Sequence, residues 1–373
     1  MMVLRREGTH SRLKQRRRVD GEKGNCGIVC SHCEYFHKPC SGCFATKACL
    51  VDYCIKGLSY AGITRPHAFC LLRSYCPIGG RGRPAPELVP PTHPKSKATV
   101  SLPRFVPIVS ISDRKSWFWS SIQLPMIIVR LAELIMRPNL LLSEVSRKGL
   151  HDHLGFDGRI VLSTIMPDEL IDELQPKDYL GFVRDLRPDA TMVPDNYTYM
   201  DDPLYLSWSQ TIRLVRNALS FLELDIPAIG LIKGATSEQV GWSTKQLVSM
   251  GYATFALPAR ELSRSELLDN VLAPALLAFE ECQVSPRLMI YGRSYPVKGL
   301  KRASYANLSW FLGAKSGTYF KGGFQHDITD PDIRFERCGC DSCKGRMAQD
   351  LIGDTRAIAL HNLLDLNREL GGS

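Results

Sequence analysis

Four residues near the end of the sequence have the types and spacing of a metal-binding set. Cys338, Cys340 and Cys343 follow a C-x-C-x-x-C pattern, and His361 lies in an apolar stretch with helical periodicity further on. Three thiolates and one imidazole are the donors of a closed tetrahedral zinc site. Such a site has no open position, so we expect zinc there to fix the end of the chain rather than to perform chemistry. The alternative is a group of reduced surface thiols and a core histidine.

A second cysteine cluster lies near the start of the chain. Its close members are Cys26, Cys30, Cys33, Cys40, Cys43, Cys49 and Cys54, and Cys70 and Cys76 follow. Seven close thiols exceed the needs of one zinc ion, and they suit two zinc sites or a four-cysteine iron–sulfur cluster, with His32 and His37 as further candidate ligands. A segment of about 50 residues cannot build a sufficient core, so we expect metal to supply its folding energy.

Positive charge is concentrated in the first 100 residues, which contain 17 Lys and Arg against 6 Asp and Glu. The remainder carries 30 against 32 and is nearly neutral. The run KQRRR indicates either a disordered basic arm or contact with nucleic-acid phosphates. Aromatic and basic residues alternate within the cysteine-rich region, which suggests a clamp for nucleic acid; ordinary solvated surface has the same composition.

Composition divides the 373 residues into four segments. They are a basic arm (1–23), a Cys-rich metal-binding module (24–80), a Pro-rich linker (81–103) and a globular domain (104–373). No apolar run approaches the roughly 18 residues of a membrane span, and no apolar segment of a secretory signal follows the basic arm. We therefore expect a cytoplasmic protein without a membrane partner, whose cysteines bind metal rather than form disulfides.

Short apolar runs alternate with longer amphipathic stretches throughout the globular domain. Candidate strands are 106–111, 159–165, 190–194, 228–232, 253–257, 288–291 and 318–320, and candidate helices include 203–224, 237–251 and 267–282. Continuous apolar strands followed by helices predict buried parallel strands joined by helical crossovers. About 270 residues of this pattern suit an α/β fold of the (β/α)8 TIM-barrel type. The glycine-rich fingerprint of dinucleotide-binding folds is absent.

Several segments resemble the tRNA-guanine transglycosylase superfamily. GGFQHDITDPDIRFERCGCDSC and LHNLLDLNREL are similar to its zinc-binding end, and KGLHDHLGFDGRIVLSTI, PDATMVPDNYTYMDDP and RLMIYGRSYP are similar to its barrel strands. The resemblance covers about residues 148–370. It implies a barrel with a structural zinc site and an enzyme that exchanges guanine for a 7-deazaguanine base in DNA or tRNA. The front segment CGIVCSHCEYFHKPCSGC resembles a small bacterial Cys-rich domain family of unknown function.

The resemblance also assigns candidate site residues. Asp195 stands where the family has an Asp that contacts the base, while Ser163 and Asn307 stand where it has its two catalytic Asp residues. In the family's base-binding segments this chain has Lys233 in place of a Gln, followed by Gly234, and Pro258 in place of a Gly. The family's covalent glycosyl-enzyme intermediate needs a carboxylate nucleophile, and Asn307 cannot be one.

Three interpretations of these substitutions remain open. Carboxylates at other positions supply the chemistry, with Asp168, Asp172 and Asp195 as candidates; the chain catalyses a different step on a deazaguanine; or it is a non-catalytic nucleic-acid-binding or partner subunit of a transglycosylase complex. The resemblance also leaves open a homodimer or a heterodimer. Extraction of a base from its stack into a barrel requires basic surroundings, which the front segment offers. The sequence ends directly after the predicted zinc helix, which slightly favours DNA as the partner.

Overall fold

A computed structural model describes residues 99–136, 141–199, 204–260, 262, 265–297, 299–300 and 302–371. The predicted basic arm, the Cys-rich module with its ligands from Cys26 to Cys54, and most of the linker lie outside the described residues. The described residues belong to two compact units. The smaller contains Tyr197–Arg213 and Gly234–Thr236, and the larger contains the remaining described residues.

Parallel strands of the larger unit form a closed eight-stranded barrel, in which β8 pairs with β1. The barrel strands are β1 (Phe105–Val109), β2 (Met126–Arg130), β3 (Arg159–Ser163), β4 (Ala190–Met192), β5 (Ala228–Leu231), β6 (Thr254–Pro258), β7 (Arg287–Tyr291) and β8 (Ser304–Asn307). Almost all their residues are buried. Burial on both faces explains why the strands read as continuous apolar runs rather than as an alternating pattern.

Helices alternate with the strands along the chain, as the apolar periodicity predicts. They are α1 (Leu131–Ile135), α2 (Ser143–Lys148), α3 (Leu150–Leu154), α4 (Asp168–Glu173), α5 (Pro176–Leu186), α6 (Leu204–Ser220), α7 (Ser237–Ser249), α8 (Ser265–Glu281), α9 (Ser309–Lys315), α10 (Pro331–Arg334) and α11 (Thr355–Gly371). The predicted α/β barrel of TIM type is thereby confirmed for the described part of the chain. None of the described helices is both long and apolar enough to cross a membrane.

The strand register determines which side chains point into the barrel, because paired residues of neighbouring parallel strands face the same side. Arg130 of β2 pairs with Ser163 of β3, and Tyr291 of β7 pairs with both Pro258 of β6 and Ala306 of β8. The Ser163 hydroxyl donates a hydrogen bond to Tyr291 Oη at 3.2 Å. Since β3 and β7 lie on opposite sides of the ring, this bond crosses the interior. All five residues therefore point inward.

Residues 318–320 form a strand, but outside the barrel. They lie in β9 (Thr318–Lys321), which pairs antiparallel with β10 (Phe324–Asp327) in a separate hairpin. The turn residues Gly322 and Gly323 have φ angles of 59° and 81°, and the mirror-image turns that suit two-residue hairpins need such positive angles. The Gly-Gly pair therefore indicates a hairpin rather than a barrel strand at this position. The two barrel strands that were not predicted are β2 and β8.

The last helix, α11, is attached to the β9–β10 hairpin and to α9 by buried polar groups. Asn362 accepts a hydrogen bond from Phe320 N at 2.9 Å and donates to Thr318 O at 2.9 Å and to Trp310 O at 3.2 Å. The carboxylate of Asp365 accepts from the hairpin turn, with Gly323 N at 2.8 Å. These bonds fix both the position and the rotation of α11.

Candidate functional site

The predicted metal ligands Cys338, Cys340, Cys343 and His361 lie together in the structure. Their three sulfur atoms and His361 Nδ1 are all within 4.8 Å of one another. Nδ1 is 3.4 Å from the sulfur of Cys338, 3.6 Å from that of Cys340 and 3.4 Å from that of Cys343. Cys343 is buried, and the other two thiols are half-buried. The sequence spacing thus predicted the membership of this cluster.

The imidazole of His361 is oriented as a metal ligand. Its Nε2 is 2.8 Å from the carbonyl oxygen of Phe320, and a carbonyl oxygen only accepts, so Nε2 carries the proton. In the neutral ring Nδ1 then has a lone pair directed at the three sulfur atoms. The ring of Tyr319 stacks on the imidazole with centroids 3.9 Å apart. A backbone carbonyl on the second ring nitrogen is the usual orienting partner of a metal-bound histidine.

The distances in the cluster fit a four-coordinate metal ion. Tetrahedral zinc with Zn–S of about 2.3 Å and Zn–N of about 2.0–2.1 Å places sulfur and nitrogen about 3.6 Å apart. The observed separations of 3.4 to 3.6 Å agree with that value. One nitrogen equidistant from three sulfurs is not a hydrogen-bonding arrangement, because a single N–H points at one acceptor. The geometry is consistent with zinc.

The thiols of the cluster compete for protons. A hydrogen bond from the Cys343 thiol lowers the pKa of Cys340, and the same contact raises the pKa of Cys343. Negative charge on the neighbouring sulfur atoms therefore opposes ionisation of Cys343 unless a positive charge lies beside it. A divalent cation supplies that charge and converts coordinating thiols to thiolates.

The loop that carries the cysteines is a tight knuckle closed by backbone hydrogen bonds. Cys343 N and Lys344 N donate to Cys340 O at 3.0 and 2.9 Å, and Gly345 N donates to Cys338 O at 3.0 Å. Lys344 and Gly345 have left-handed φ angles of 52° and 76°, which reverse the chain. This reversal brings the third sulfur back beside the first two.

We call the carboxyl ends of β1 to β8 the barrel mouth, since TIM-barrel sites lie at this end. Here the structure brings together two predicted residues that follow different strands. Lys233, after β5, donates to Asp195 Oδ1, after β4, at 2.7 Å, and also to Asn196 O. Asp195 is 4% exposed, and its Oδ1 accepts a further bond from Asn196 N at 2.8 Å. Within the described residues no donor reaches Oδ2.

Ser163 lies at the mouth, where its hydroxyl donates to Tyr291 Oη across the barrel interior. Burial raises the pKa of Tyr291, so the phenol stays protonated at neutral pH. In its hydrogen bond with Ser163, the phenol oxygen is the acceptor, so the O–H of Tyr291 can still donate to another group. Pro258 faces the same interior from β6 and contributes no polar side-chain atom. Gly234 follows Lys233 along the chain and belongs to the smaller unit.

Asn307 is buried, but it faces away from the barrel interior. It is adjacent to the inward Ala306 on β8 and pairs with Pro107 of β1. Its Nδ2 donates to Arg293 O at 3.1 Å, and its Oδ1 accepts from Ser309 N at 3.2 Å and Ser309 Oγ at 2.7 Å. These bonds fix the turn from β8 into α9, and they occupy both ends of the amide.

The two other carboxylates predicted as candidates lie on α4, beyond the end of β3. Asp168 is the first residue of this helix and is half-buried, whereas Asp172 is exposed. Each has an interaction within the protein. A negative charge in the first turn also stabilises a helix.

A polar cluster at the ends of β1 and β2 was not predicted. Glu133, on α1, has a side chain only 10% exposed, and its carboxylate pairs with Arg130 Nη2 at 3.0 Å. It also accepts from Ser112 N at 3.1 Å and from the hydroxyls of Ser110 and Ser112. Burial alone would raise the pKa of Glu133, but the serine hydrogen bonds and the Arg130 charge together lower it. The sequence pattern that could have revealed this cluster is R-x-x-E directly after the apolar run MIIV.

Two further arginines follow β6 and β7. Arg260 is exposed, and Arg293 lies 4.1 Å from the ring centroid of Tyr295, which is itself 39% exposed. Gly292, between the strand and Arg293, has a φ of 90°, and a Cβ there would lie 2.9 Å from Arg260 Cβ. Only glycine therefore permits the two loops to approach this closely.

No protein-family model matches this chain, and no curated protein matches it. The functional assignment accordingly rests on the sequence motifs, the barrel and the geometry of the two sites.

Proposed function

We propose that this chain is a guanine transglycosylase that exchanges guanine for a 7-deazaguanine base in DNA or tRNA. The observation that carries the proposal is a Cys3His cluster that joins a cysteine knuckle to the last helix of a TIM-type barrel. This is the combination of fold and metal-binding end that the resemblance to the transglycosylase superfamily implies. The proposed metal is zinc, held by Cys338, Cys340, Cys343 and His361.

Zinc has a structural role in this proposal. Four protein ligands leave no position for a substrate, so the ion cross-links the cysteine knuckle to α11. His361 extends this cross-link to the β9–β10 hairpin through its hydrogen bond to Phe320 O. Base exchange would then take place at the barrel mouth, and the metal would stabilise the C-terminal end of the domain.

Asp195 is proposed to bind the extruded base. Guanine and 7-deazaguanine present N1–H and a 2-amino group as donors, and deep pockets read a flipped base on this edge. The Oδ2 atom of Asp195 is available to accept such donors, while Lys233 and Asn196 N hold the carboxylate through Oδ1. Lys233 thereby acts as a positioning residue.

The charge at the mouth suits a polyanion. Arg130, Lys233, Arg260 and Arg293 follow or end four different strands, and Arg260 and Arg293 have no carboxylate partner within the described residues. Cations in this arrangement attract phosphates and raise the rate of encounter with nucleic acid. The exposed Tyr295, stacked under Arg293, adds an aromatic surface of the kind on which unpaired bases stack.

The exchange breaks the N-glycosidic bond of guanine through a transition state with oxocarbenium character, which a nearby carboxylate stabilises. The departing base keeps the bonding electron pair on N9 and gains a proton, and the incoming base loses a proton from N9 as it attacks C1′. Asp195 and Glu133 are mostly buried carboxylates that the described structure places within three residues of a strand end. Asn307 lacks a charge and faces away from the mouth.

Incubation of zinc-loaded protein with radiolabelled guanine and either DNA or tRNA tests the proposal. We expect label in one of the two polymers, and its loss in an Asp195→Asn variant that is still folded, as shown by retained zinc and a cooperative unfolding transition. Absence of label in both polymers, with the parent protein folded and metal-loaded, would reject catalysis by this chain alone.

A non-catalytic partner or nucleic-acid-binding subunit is the second candidate. The observation in its favour is that Ser163 and Asn307 replace the catalytic Asp residues that the resemblance predicts, and that hydrogen bonds within the protein occupy both side chains. This function predicts salt-dependent binding to DNA or tRNA without incorporation of guanine.

A further inference from the structure

The guanidinium of Arg130 is fixed in the barrel mouth by a dedicated carboxylate. Glu133 holds Nη2 at 3.0 Å, and the hydroxyls of Ser110 and Ser112 in turn hold Glu133. The Nε donor of Arg130 is buried without an acceptor among the described residues. A buried donor without a partner requires an explanation, and a bound ligand is one of the few available.

A second donor lies beside Arg130. The register pairs Arg130 with Ser163, and neighbouring strands are about 4.8 Å apart. Ser163 in turn contacts Tyr291 Oη at 3.2 Å, so the guanidinium and the phenol face the same part of the interior. Consistent with this proximity, the Arg130 charge counteracts part of the effect of burial, which raises the pKa of Tyr291. Arg130 Nε has no acceptor among the described residues, and none of the described hydrogen bonds uses the O–H of Tyr291 as a donor.

We propose that Arg130 and Tyr291 bind the O6 carbonyl of a guanine-type base in the barrel mouth, with Glu133 and Ser163 as their positioning residues. A carbonyl oxygen has two lone pairs and accepts one hydrogen bond from each donor. O6 is common to guanine and 7-deazaguanine, so the site takes both the departing and the incoming base. Adenine carries an amino group at this position, which would place donor against donor.

The inference deepens the proposed function, because it names the residues that select the base. It extends the contact of Asp195 on N1–H and the 2-amino group to the adjacent carbonyl of the same base. Asp195 follows β4 and Tyr291 ends β7, so both lie at the barrel mouth. Together these groups would read the whole Watson–Crick edge of guanine.

Equilibrium dialysis of the full chain with guanine, 7-deazaguanine and adenine tests the assignment without requiring catalysis. We expect similar affinities for guanine and 7-deazaguanine and weaker binding of adenine. Arg130→Met should weaken guanine binding about tenfold to a hundredfold, since a hydrogen bond from a charged donor is lost. Tyr291→Phe, which removes one hydroxyl and little volume, should weaken it about threefold to tenfold.

Arg159→Met is the matched control. Arg159 is an exposed arginine at the opposite, amino end of β3, and its loss should leave guanine binding unchanged. Because Arg130→Met leaves Glu133 without its cation, Arg130→Met/Glu133→Gln provides a neutral second variant, and zinc content and the unfolding transition report on folding. Arg130→Lys keeps the charge without the planar fork, and we expect it to bind guanine less tightly than the parent.

Folded Arg130 and Tyr291 variants that bind guanine as tightly as the parent would overturn the inference, and so would a parent protein that binds adenine as tightly as guanine. Guanine binding that depends on both residues, without incorporation of label into DNA or tRNA, would support the inference and reject the proposed exchange. The failures of the two proposals are therefore distinguishable.

Discussion

Substitution of Asn362 by Leu should release the end of the domain that carries the Cys3His cluster. This side chain is fully buried on α11 and hydrogen-bonds three backbone groups on two other elements. They are Phe320 N and Thr318 O of β9 and Trp310 O of α9. Leucine has the same number and branching of side-chain heavy atoms but no hydrogen-bonding atoms, so the substitution removes the partners of these groups without leaving a cavity.

The size of the effect follows from the three groups that lose their partner. A buried backbone group left without a hydrogen bond costs about 1–3 kcal/mol. Thr318 O is only partly buried and water can reach it, so the lower end of the range applies to that group. We therefore expect the free energy of unfolding to fall by about 3 kcal/mol or more, a large fraction of the 5–15 kcal/mol typical of a domain.

The same substitution should weaken metal binding, because Phe320 connects Asn362 to the metal ligand His361. Its N–H is held by Asn362, while its carbonyl oxygen orients the His361 ring at 2.8 Å. Loss of such an orienting partner typically lowers metal affinity by about 10- to 100-fold. Urea unfolding measures the stability, and competition with a chromophoric chelator measures the affinity for zinc.

Asn367→Leu is the control for these measurements. Asn367 lies on the same helix and is half-buried, so its substitution should change the stability by about 0.5 kcal/mol or less. An Asn362→Leu protein with parental stability and zinc affinity would refute the account of how α11 is held.

Three further predictions concern the barrel mouth. The pKa of Glu133 is lowered on folding, so the carboxylate contributes fully to stability above about pH 4.5, and this contribution is lost as the pH falls through the folded pKa. The urea midpoints of the parent and of Glu133→Gln should therefore converge at low pH. A difference that stays constant with pH would contradict this prediction. Lys233→Met leaves Asp195 buried without a cation, so the free energy of chemical unfolding should fall by about 3–5 kcal/mol. The double variant Lys233→Met/Asp195→Asn should lose less stability than Lys233→Met alone. Equal losses in the two variants would argue against a stabilising ion pair. Gly292→Ala should cost about 1–3 kcal/mol of stability and lower the thermal midpoint, because the φ of 90° and the close approach of Arg260 both oppose a Cβ at this position. An unchanged midpoint would show that the two loops can move apart.

The sequence predicted the barrel because its strands are buried on both faces and read as uninterrupted apolar runs. It did not reveal β2, because MIIV continues directly into the apolar stretch of α1, and strands and buried helices cannot be told apart by periodicity in such a run. It did not reveal β8 either, since SYAN is short and has few large apolar side chains. These strands become evident only once the ring has to close.

The Cys3His cluster was predictable because three of its ligands are close in sequence and the fourth lies within the apolar helical run IALHNLL. The residue pairs in the barrel mouth were not predictable from sequence. Asp195 contacts Lys233, and Ser163 contacts Tyr291, only because of how separate strands are arranged in the barrel. Asn307 shows the converse case, since alignment to a motif does not tell which side of the barrel a residue faces.

Incorporation of radiolabelled guanine into DNA or tRNA by the zinc-loaded protein is the most direct test of the central claim that the barrel mouth exchanges bases. We predict label in one polymer from the parent protein and none from a folded Asp195→Asn variant. Label in neither polymer from a folded, metal-loaded parent protein, or equal label with Asp195→Asn, would contradict it.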